Sequence, residues 1–314
     1  MAKKNKPLEI VLASPRGFCA GVERAIEIVE KAIQKFGPPI YVRHEIVHNK
    51  YVVDDLRKKG AIFVDETDEV PEGAITIFSA HGVSDKVEDE AKKRNLSVID
   101  ATCPLVTKVH LETRKHQQLD RQIIMIGHKG HPEVEGTAGR VKQEVAIIST
   151  EEDVQLLEVK NPDNLAYVTQ TTLSVDDTTS IIRALKNKFP SIIGPDTKDI
   201  CYATQNRQNA VKMLAKEVDV ILVIGSANSS NSNRLKDLGE NMNVPSYLVD
   251  SHKHIKEEWL EGAKSVGITA GASAPEVLID DVVGYLGTKF DISIKNMTGA
   301  QENIKFKLPQ ELRA

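Results

Sequence analysis

The chain has three cysteines, Cys19, Cys103 and Cys201, and each stands in the same kind of place. Each closes an apolar or turn-rich approach and directly precedes a helix-like pattern. The approaches are Ser14-Pro15-Arg16-Gly17-Phe18-Cys19, Asp100-Ala101-Thr102-Cys103 and Asp199-Ile200-Cys201. The amino end of a helix offers unsatisfied N–H groups and partial positive charge, which favour a thiolate, the form that binds metal. The cysteines lie more than eighty residues apart, so any common site is made by folding. No CxxC loop is present, which argues against a zinc knuckle or a thioredoxin motif. Three thiolates on an iron–sulfur cubane would leave one iron without a protein ligand, open to a substrate. The alternative is three unrelated buried cysteines, since Cys is among the most buried residue types.

Polar loops form the second group of residues able to do chemistry. Five follow apolar runs: Ser79-Ala80-His81-Gly82-Val83-Ser84, Gly127-His128-Lys129-Gly130-His131-Pro132-Glu133, Gln170-Thr171-Thr172-Leu173-Ser174, Gly225-Ser226-Ala227-Asn228-Ser229-Ser230-Asn231 and Ala270-Gly271-Ala272-Ser273-Ala274-Pro275. Small hydroxyl and amide side chains with backbone N–H groups at helix starts make anion cradles. Any one such loop reads equally as ordinary N-capping. Five together, with His48, His81 and His131 at apparent strand ends, point to a shared polar pocket. Imidazole can donate to a phosphate when neutral and adds charge when protonated.

Two motifs are set aside. His44-Glu45-Ile46-Val47-His48 matches HExxH, but zinc-protease chemistry needs that motif inside a helix, and here it follows a strand-like run. No GxGxxG follows a strand and no GxxxxGK[ST] occurs, so nicotinamide, flavin and P-loop nucleotide binding have no motif support.

These residues need elements to position them. Short Ile- and Val-rich runs predict strands at Glu9–Ala13, Ile40–Val42, Ala61–Val64, Ile75–Phe78, Ser97–Ile99, Ile123–Ile126, Val145–Ile148, Ala166–Thr169, Ser191–Ile193, Val220–Ile224, Ser246–Val249 and Ser265–Thr269. Continuous apolar runs of this length suit strands buried on both faces of parallel sheets. Helices are predicted at Gly21–Gln34, Asn49–Lys59, Ser84–Arg94, Pro104–Leu119, Val175–Lys188, Thr204–Glu217, Ser230–Glu240 and Ala274–Leu286. The alternation predicts an α/β fold of right-handed βα units, in three small sheets of about four strands each. One large doubly wound sheet satisfies the same periodicity. The alternating segment Glu302–Pro309 reads as a further edge strand.

Composition bounds the partners. With 314 residues, 40% hydrophobic and 27% charged, the chain suits a soluble globular protein of two or three α/β units. A net charge of −4 gives no general attraction for nucleic acid or an anionic membrane, so neither is expected as a partner. The basic start, Met1-Ala2-Lys3-Lys4-Asn5-Lys6, has no apolar stretch of signal-peptide length behind it. An odd number of cysteines without an export signal points to reduced thiols in the cytoplasm.

With these segments assembled, the chain resembles the LytB family of 4-hydroxy-3-methylbut-2-enyl diphosphate reductases, the last enzymes of the methylerythritol phosphate route to isoprenoids. The resemblance is carried by Pro15-Arg16-Gly17-Phe18-Cys19-Ala20-Gly21-Val22, Arg43-His44-Glu45-Ile46-Val47-His48-Asn49, Ser79-Ala80-His81-Gly82-Val83, Asp100-Ala101-Thr102-Cys103-Pro104 and Gly130-His131-Pro132-Glu133-Val134-Glu135-Gly136. It continues through Thr169-Gln170-Thr171-Thr172-Leu173-Ser174, Ile200-Cys201-Tyr202-Ala203-Thr204, Ser229-Ser230-Asn231-Ser232-Asn233-Arg234 and Gly271-Ala272-Ser273-Ala274-Pro275, and so spans nearly the whole chain.

The resemblance implies three small βα lobes with mainly parallel sheets around a central cluster cavity. The lobes would be 21–103, 104–197 and 1–20 with 198–288, closed by a C-terminal segment at 289–314. It implies one [4Fe–4S] cluster on Cys19, Cys103 and Cys201 with an open iron site. The diphosphate would be gripped by His48, His81, Ser229, Ser230, Asn231 and Ser273. Glu133 would be the proton donor, assisted by Thr171, with His131 and Thr172 lining the pocket. The substrate would be an allylic diphosphate, reductively dehydroxylated with electrons from an external ferredoxin or flavodoxin. From the residues alone, a hydro-lyase using an open iron, a zinc hydrolase on the His and Glu loops, and a non-catalytic anion- or RNA-binding module remain rivals.

Overall fold

Strands and helices alternate along most of the chain, as the Ile/Val runs and the amphipathic stretches between them dictate. The computed structural model describes residues 6–313. In order the elements are β1 (Pro7–Leu12), α1 (Ala20–Phe36), β2 (Ile40–Arg43), α2 (Lys50–Lys59), β3 (Ala61–Val64), β4 (Ile75–Phe78), α3 (Asp85–Lys93), β5 (Ser97–Asp100) and α4 (Pro104–Gln118). They continue with β6 (Gln122–Ile126), α5 (Pro132–Ala138), β7 (Ala146–Ile148), α6 (Glu151–Leu156), β8 (Leu165–Thr169), α7 (Val175–Lys188) and α8 (Tyr202–Leu214). The last are β9 (Val220–Ile224), α9 (Ser230–Asn241), β10 (Ser246–Val249), β11 (Ser265–Ala270), α10 (Glu276–Lys289) and β12 (Asp291–Asn296).

The strands form three small sheets, ordered β10-β9-β11-β1-β12, β3-β2-β4-β5 and β7-β6-β8. Every ladder among the described residues is parallel. The α/β class and the division into three small sheets therefore stand, in place of one large sheet.

The described residues fall into two compact units. One takes the chain up to Ala20, His48–Val52 and Tyr202–Lys305, and holds the five-stranded sheet. Along its central strands the side chains alternate between two cores. Ile10, Leu12, Leu222, Ile224 and Ile268 join one cluster, while Val11, Ala13, Ile221 and Val223 join Val211, Leu214 and Leu235 in the other. Burial on both faces is why these strands read as unbroken apolar runs. Each fully buried Ile or Leu contributes roughly 1.5–3 kcal/mol.

The other unit comprises Gly21–Val47, Val53–Cys201 and the chain from Phe306 onward, and holds the four- and three-stranded sheets. The three-stranded sheet is likewise sandwiched: Ile124, Ile126, Leu165 and Tyr167 pack with α7, and Ile123, Met125 and Val168 pack with Val109 of α4 and Val134 of α5.

Two predicted strands differ. Ser191–Ile193 makes only an isolated bridge, Ala166 to Ile193, because Pro190 and Pro195 bracket it and leave no room for a ladder. Glu302–Pro309 is irregular, since side chains hold it instead: Arg207 binds the Glu302 carboxylate and Arg24 binds the Lys307 carbonyl at 2.8 Å. The edge strand is β12, parallel to β1. Its Asp-Ile-Ser-Ile-Lys-Asn run is mostly exposed and too polar to stand out as a buried strand. The short helices α5 and α6 were also not predicted.

Candidate functional site

In open parallel sheets, ligand sites form beyond the carboxyl ends of the strands where the strand order reverses. The reversals here lie between β9 and β11, β2 and β4, and β6 and β8. The five polar loops singled out from the sequence lie at the ends of β4, β6, β8, β9 and β11, and the segment 44–48 follows β2.

Between β6 and β8 sits a buried acid. His131 N-caps α5, its Nδ1 accepting the Glu133 N–H at 3.1 Å, and Pro132 fills the first helical position. This turns the Glu133 carboxyl inward, where it is only 3% exposed. Its Oε1 accepts the Thr171 N–H at 2.6 Å, and Oε2 is 3.0 Å from the Thr171 hydroxyl. Burial pushes the Glu133 pKa up to about 7; the two Thr171 bonds oppose the rise and the charge of Asp199 adds to it. Gly127 is required here, because a Cβ would stand 2.6 Å from the Val134 side chain and 3.3 Å from Gln170. Gln170 is fully buried, accepts the His128 N–H at 3.1 Å and donates to the Thr172 hydroxyl at 3.0 Å.

Between β2 and β4, the Ala80 N–H donates to the Ile46 carbonyl at 3.1 Å. His81 follows, its Nδ1 3.2 Å from the Ser79 hydroxyl and its ring edge-on to His131 with centroids 5.8 Å apart. His81 and His131 are thus brought together, both half-buried. Gly82, at φ +78°, admits His110, whose ring a Cβ would meet at 2.5 Å. The HExxH segment is not helical, and His44 itself lies at φ +59°, so the two histidines do not share a helix face. Among the described residues no three His, Cys, Asp or Glu side chains, the three cysteines included, are grouped as ligands of one metal ion.

Between β9 and β11 lies the polar cradle of the first unit. Ser229 N-caps α9, its hydroxyl accepting the Ser232 N–H at 3.3 Å. Asn231 crosses to the neighbouring loop, where its Oδ1 accepts the Ala272 N–H at 2.9 Å. The Ser273 hydroxyl donates to the His48 carbonyl at 2.8 Å, and the Asn228 amide is 3.4 Å from His48 Nδ1. Gly225 and Gly271 leave space for the Ser232 hydroxyl, which a Cβ on either would overlap. Ser229, Asn231 and Ser273 are nine-tenths buried or more, while Ser230 and His48 are half-buried. The structure therefore brings His48, Ser229, Ser230, Asn231 and Ser273 together in one unit, and His81, His131, Glu133, Thr171 and Thr172 in the other.

The cysteines are half-buried and outside any disulfide. Cys19 immediately precedes α1, Cys103 is the N-cap of α4, and Cys201 immediately precedes α8. Each has its own N–H tied to a site loop: Cys19 to the Ala272 carbonyl at 3.2 Å, Cys103 to Ala80 at 3.0 Å and Cys201 to Thr171 at 3.0 Å. Soft thiol donors at three helix starts fit an iron–sulfur cluster better than a hard cation.

The sequence reading missed several residues that serve this site. Asp199 is buried, accepts the Thr169 N–H at 3.2 Å, and has its pKa pushed up to about 6, chiefly by burial. Behind Gly82, His110 Nδ1 accepts the Arg140 Nε–H at 3.1 Å, and burial drives its pKa down to about 3. Asp199 stands two residues before Cys201, which was a visible signal; the His110–Arg140 pair had none.

The sequence model of the LytB protein family matches residues 10–287. A curated relative from Azoarcus sp. (strain BH72), a 4-hydroxy-3-methylbut-2-enyl diphosphate reductase, is 60% identical, with 97% of this chain and 98% of that one covered. The same-named protein of Bordetella pertussis (strain Tohama I / ATCC BAA-589 / NCTC 13251) is 58% identical, covering 97% and 94%. Among solved structures, the E-1-hydroxy-2-methyl-but-2-enyl-4-diphosphate reductase of Plasmodium falciparum aligns with TM-score 0.93 and 42% identity, covering 98% of this chain and 97% of that one. A second, described as the terminal enzyme of the non-mevalonate pathway, aligns with TM-score 0.63 and 32% identity, over 89% and 99%.

Proposed function

The chain belongs to the LytB protein family, and from that premise we propose how its residues carry out the family's reaction. It is a 4-hydroxy-3-methylbut-2-enyl diphosphate reductase. Two electrons and two protons convert (E)-4-hydroxy-3-methylbut-2-enyl diphosphate to isopentenyl or dimethylallyl diphosphate and water, the last step of the non-mevalonate pathway.

The observation that carries the residue assignment is the buried Glu133 carboxyl, bound twice by Thr171, with a pKa of about 7. Hydroxide is a poor leaving group and needs a proton as its bond to carbon breaks. A carboxyl that retains its proton near neutrality is suited to supply it. The charge of a bound diphosphate raises its pKa further, keeping the proton in place until the hydroxyl departs. Thr171 orients the carboxyl, and His131 and Thr172 line the same loop pair.

The diphosphate is assigned to the hydrogen-bond donors of His48, His81, Ser229, Ser230, Asn231 and Ser273. Asn231 is suited to this because Ala272 occupies its oxygen, while its amide nitrogen, 3.5 Å from the Thr204 hydroxyl, carries a second hydrogen to donate. Burial of Ser229, Asn231 and Ser273 makes their bonds to an anion stronger than they would be in water. Cys19, Cys103 and Cys201 hold a [4Fe–4S] cluster, which when bound supplies single electrons and an open iron as Lewis acid. A reduced ferredoxin or flavodoxin delivers the electrons, and the proposed compartment is the cytoplasm, where thiols are kept reduced. One lobe goes to each sheet, at 21–103, 104–197 and 1–20 with 198–288, with 289–314 as the closing segment that contributes β12. No helix among the described residues is long and apolar enough to cross a membrane.

The test is iron, acid-labile sulfide and zinc analysis of protein purified without oxygen, followed by turnover with a reduced donor. About four irons and four sulfides per chain, with two electrons consumed per product, support the assignment. Stoichiometric zinc without sulfide after attempted reconstitution overturns it.

A further inference from the structure

Each cysteine loop is held by a cation carried on the helix that follows a different cysteine. Arg24 of α1, five residues after Cys19, donates from Nη1 to the Ala101 and Thr102 carbonyls at 3.3 and 3.1 Å. Those are the two carbonyls before Cys103. Lys108 of α4, five residues after Cys103, has its Nζ 3.5 Å from the Lys198 carbonyl and 3.6 Å from the Asp199 carboxylate. Those residues lead into Cys201. Arg207 of α8, six residues after Cys201, donates to the Gly17 carbonyl at 3.0 and 2.7 Å and to the Phe18 carbonyl at 3.1 Å. Those are the two carbonyls before Cys19. The order closes on itself along the sequence, Cys19 helix to Cys103 loop, Cys103 helix to Cys201 loop, Cys201 helix to Cys19 loop.

Two of the cations also grip the C-terminal segment. Arg207 is fully buried and pairs with Glu302 at 3.0 Å, and Arg24 Nε donates to the Lys307 carbonyl at 2.8 Å. Burying a guanidinium is costly unless its donors are used, and nearly all the donors of Arg207 are spent on the Cys19 approach, the Ala203 carbonyl and Glu302. For Arg24, burial lowers the pKa, while the charges of Asp100 and Cys103 favour its charged form.

We propose that Arg24, Lys108 and Arg207 are positioning residues for the iron–sulfur cluster, fixing the cysteine loops in ligand-holding geometry and raising the cluster's reduction potential. The proposal rests on the reading that Cys19, Cys103 and Cys201 hold that cluster. Thiolate ligation and reduction both concentrate negative charge, and a nearby cation favours the more negative state. The forked guanidinium of Arg24 adds what a point charge cannot, since its Nη1 holds the two loop carbonyls while its Nε holds the Lys307 carbonyl of a separate segment.

The test uses reconstituted holo-protein kept without oxygen, in wild type, Arg24→Gln, Arg24→Lys and Lys108→Gln. Arg207 is avoided because removing a fully buried guanidinium would unfold its surroundings. The Lys108 side chain is 53% exposed, so its replacement leaves the fold intact. Redox titration followed by electron paramagnetic resonance reads the potential, and iron release to a chelator reads the loop geometry. In Arg24→Gln the reduced-to-oxidised ratio at fixed poise falls roughly tenfold, equivalent to about 59 mV, and iron leaves faster. Lys108→Gln shifts the ratio in the same direction by roughly two- to fivefold, less because water screens it. Arg24→Lys retains the wild-type potential but loses iron faster. Wild-type potential and iron release in both Gln variants overturn the proposal while leaving the cluster assignment standing. Cys103→Ser, run beside them, addresses that assignment separately: a full cluster complement there sinks the cluster reading itself.

Discussion

Thr171 holds Glu133 and Cys201 through three different atoms. Its N–H and hydroxyl meet the two carboxyl oxygens of Glu133 at 2.6 and 3.0 Å, and its carbonyl accepts the Cys201 N–H at 3.0 Å. One residue at the end of β8 thus couples the position of the proposed proton donor to that of a proposed cluster ligand. A Thr suits this role because its branched Cβ restricts χ1 and so fixes the hydroxyl.

Glu133→Gln keeps the shape and most of the hydrogen bonding but removes the transferable proton. The expected loss in kcat is about 10²- to 10⁴-fold, the usual worth of a general acid, with iron content and substrate affinity unchanged. Steady-state kinetics with a reduced chemical donor and iron analysis check it. A variant within threefold of the wild-type rate would remove Glu133 from the proton path.

Thr171→Val tests the orientation. The Thr171 bonds hold the Glu133 pKa down against burial, so losing the hydroxyl raises it further above about 7. One hydrogen bond of about 1 kcal/mol corresponds to somewhat under one pH unit. The alkaline limb of the kcat profile therefore moves upward by about half to one unit while kcat itself falls. An unmoved limb would show that the hydroxyl does not act through the carboxyl.

The same group leaves a signature in stability. Its pKa is 4.5 ordinarily and about 7 when folded. Below the ordinary value both states bind the proton and nothing is lost. As pH rises towards 7 the unfolded chain ionises while the folded one retains its proton, so stability falls, and above 7 the loss is complete. The full effect is on the order of 3 kcal/mol. Denaturant unfolding of the cluster-free protein at pH 5 and pH 8, in wild type and Glu133→Gln, isolates it as the difference between the two slopes. Asp199, raised to about 6, adds a slope of the same sign that persists in the variant.

Much of this arrangement was legible in the sequence because local chemistry repeats. The runs Val220–Ile224 and Ile123–Ile126 are buried on both faces, so they stood out as apolar blocks, and the His, Ser and Asn loops behind them fell at strand ends where helices begin. The cysteines were visible for the same reason. What escaped depends on contacts between distant segments. Thr171 meets Glu133 across 38 positions, and Arg207 meets Gly17 across 190. No window of sequence contains both members of either pair. The edge strand β12 escaped because an exposed, half-polar strand has no apolar block to reveal it.

The anion cradle yields the last prediction. In Asn231 the oxygen is already committed to the Ala272 N–H at 2.9 Å, so the amide nitrogen is what the residue can offer a diphosphate. Asn231→Asp preserves the Ala272 bond and the side-chain volume, and replaces that donor with a negatively charged oxygen. The local fold should hold, since a carboxylate accepts from Ala272 at least as well as an amide does. Substrate binding should not, because a hydrogen bond to an anion worth about 1.5–3 kcal/mol is exchanged for like-charge repulsion. The expected outcome is a loss of about 10²-fold or more in kcat/KM, partly recovered as pH falls and the new carboxylate is protonated. Ser273→Ala, which removes the hydroxyl that donates to the His48 carbonyl at 2.8 Å and adds no charge, should lose less, about tenfold. Equal and small effects in both variants would place the diphosphate elsewhere, while a large Asn231→Asp loss that eases at low pH would identify the repelled group as an anion.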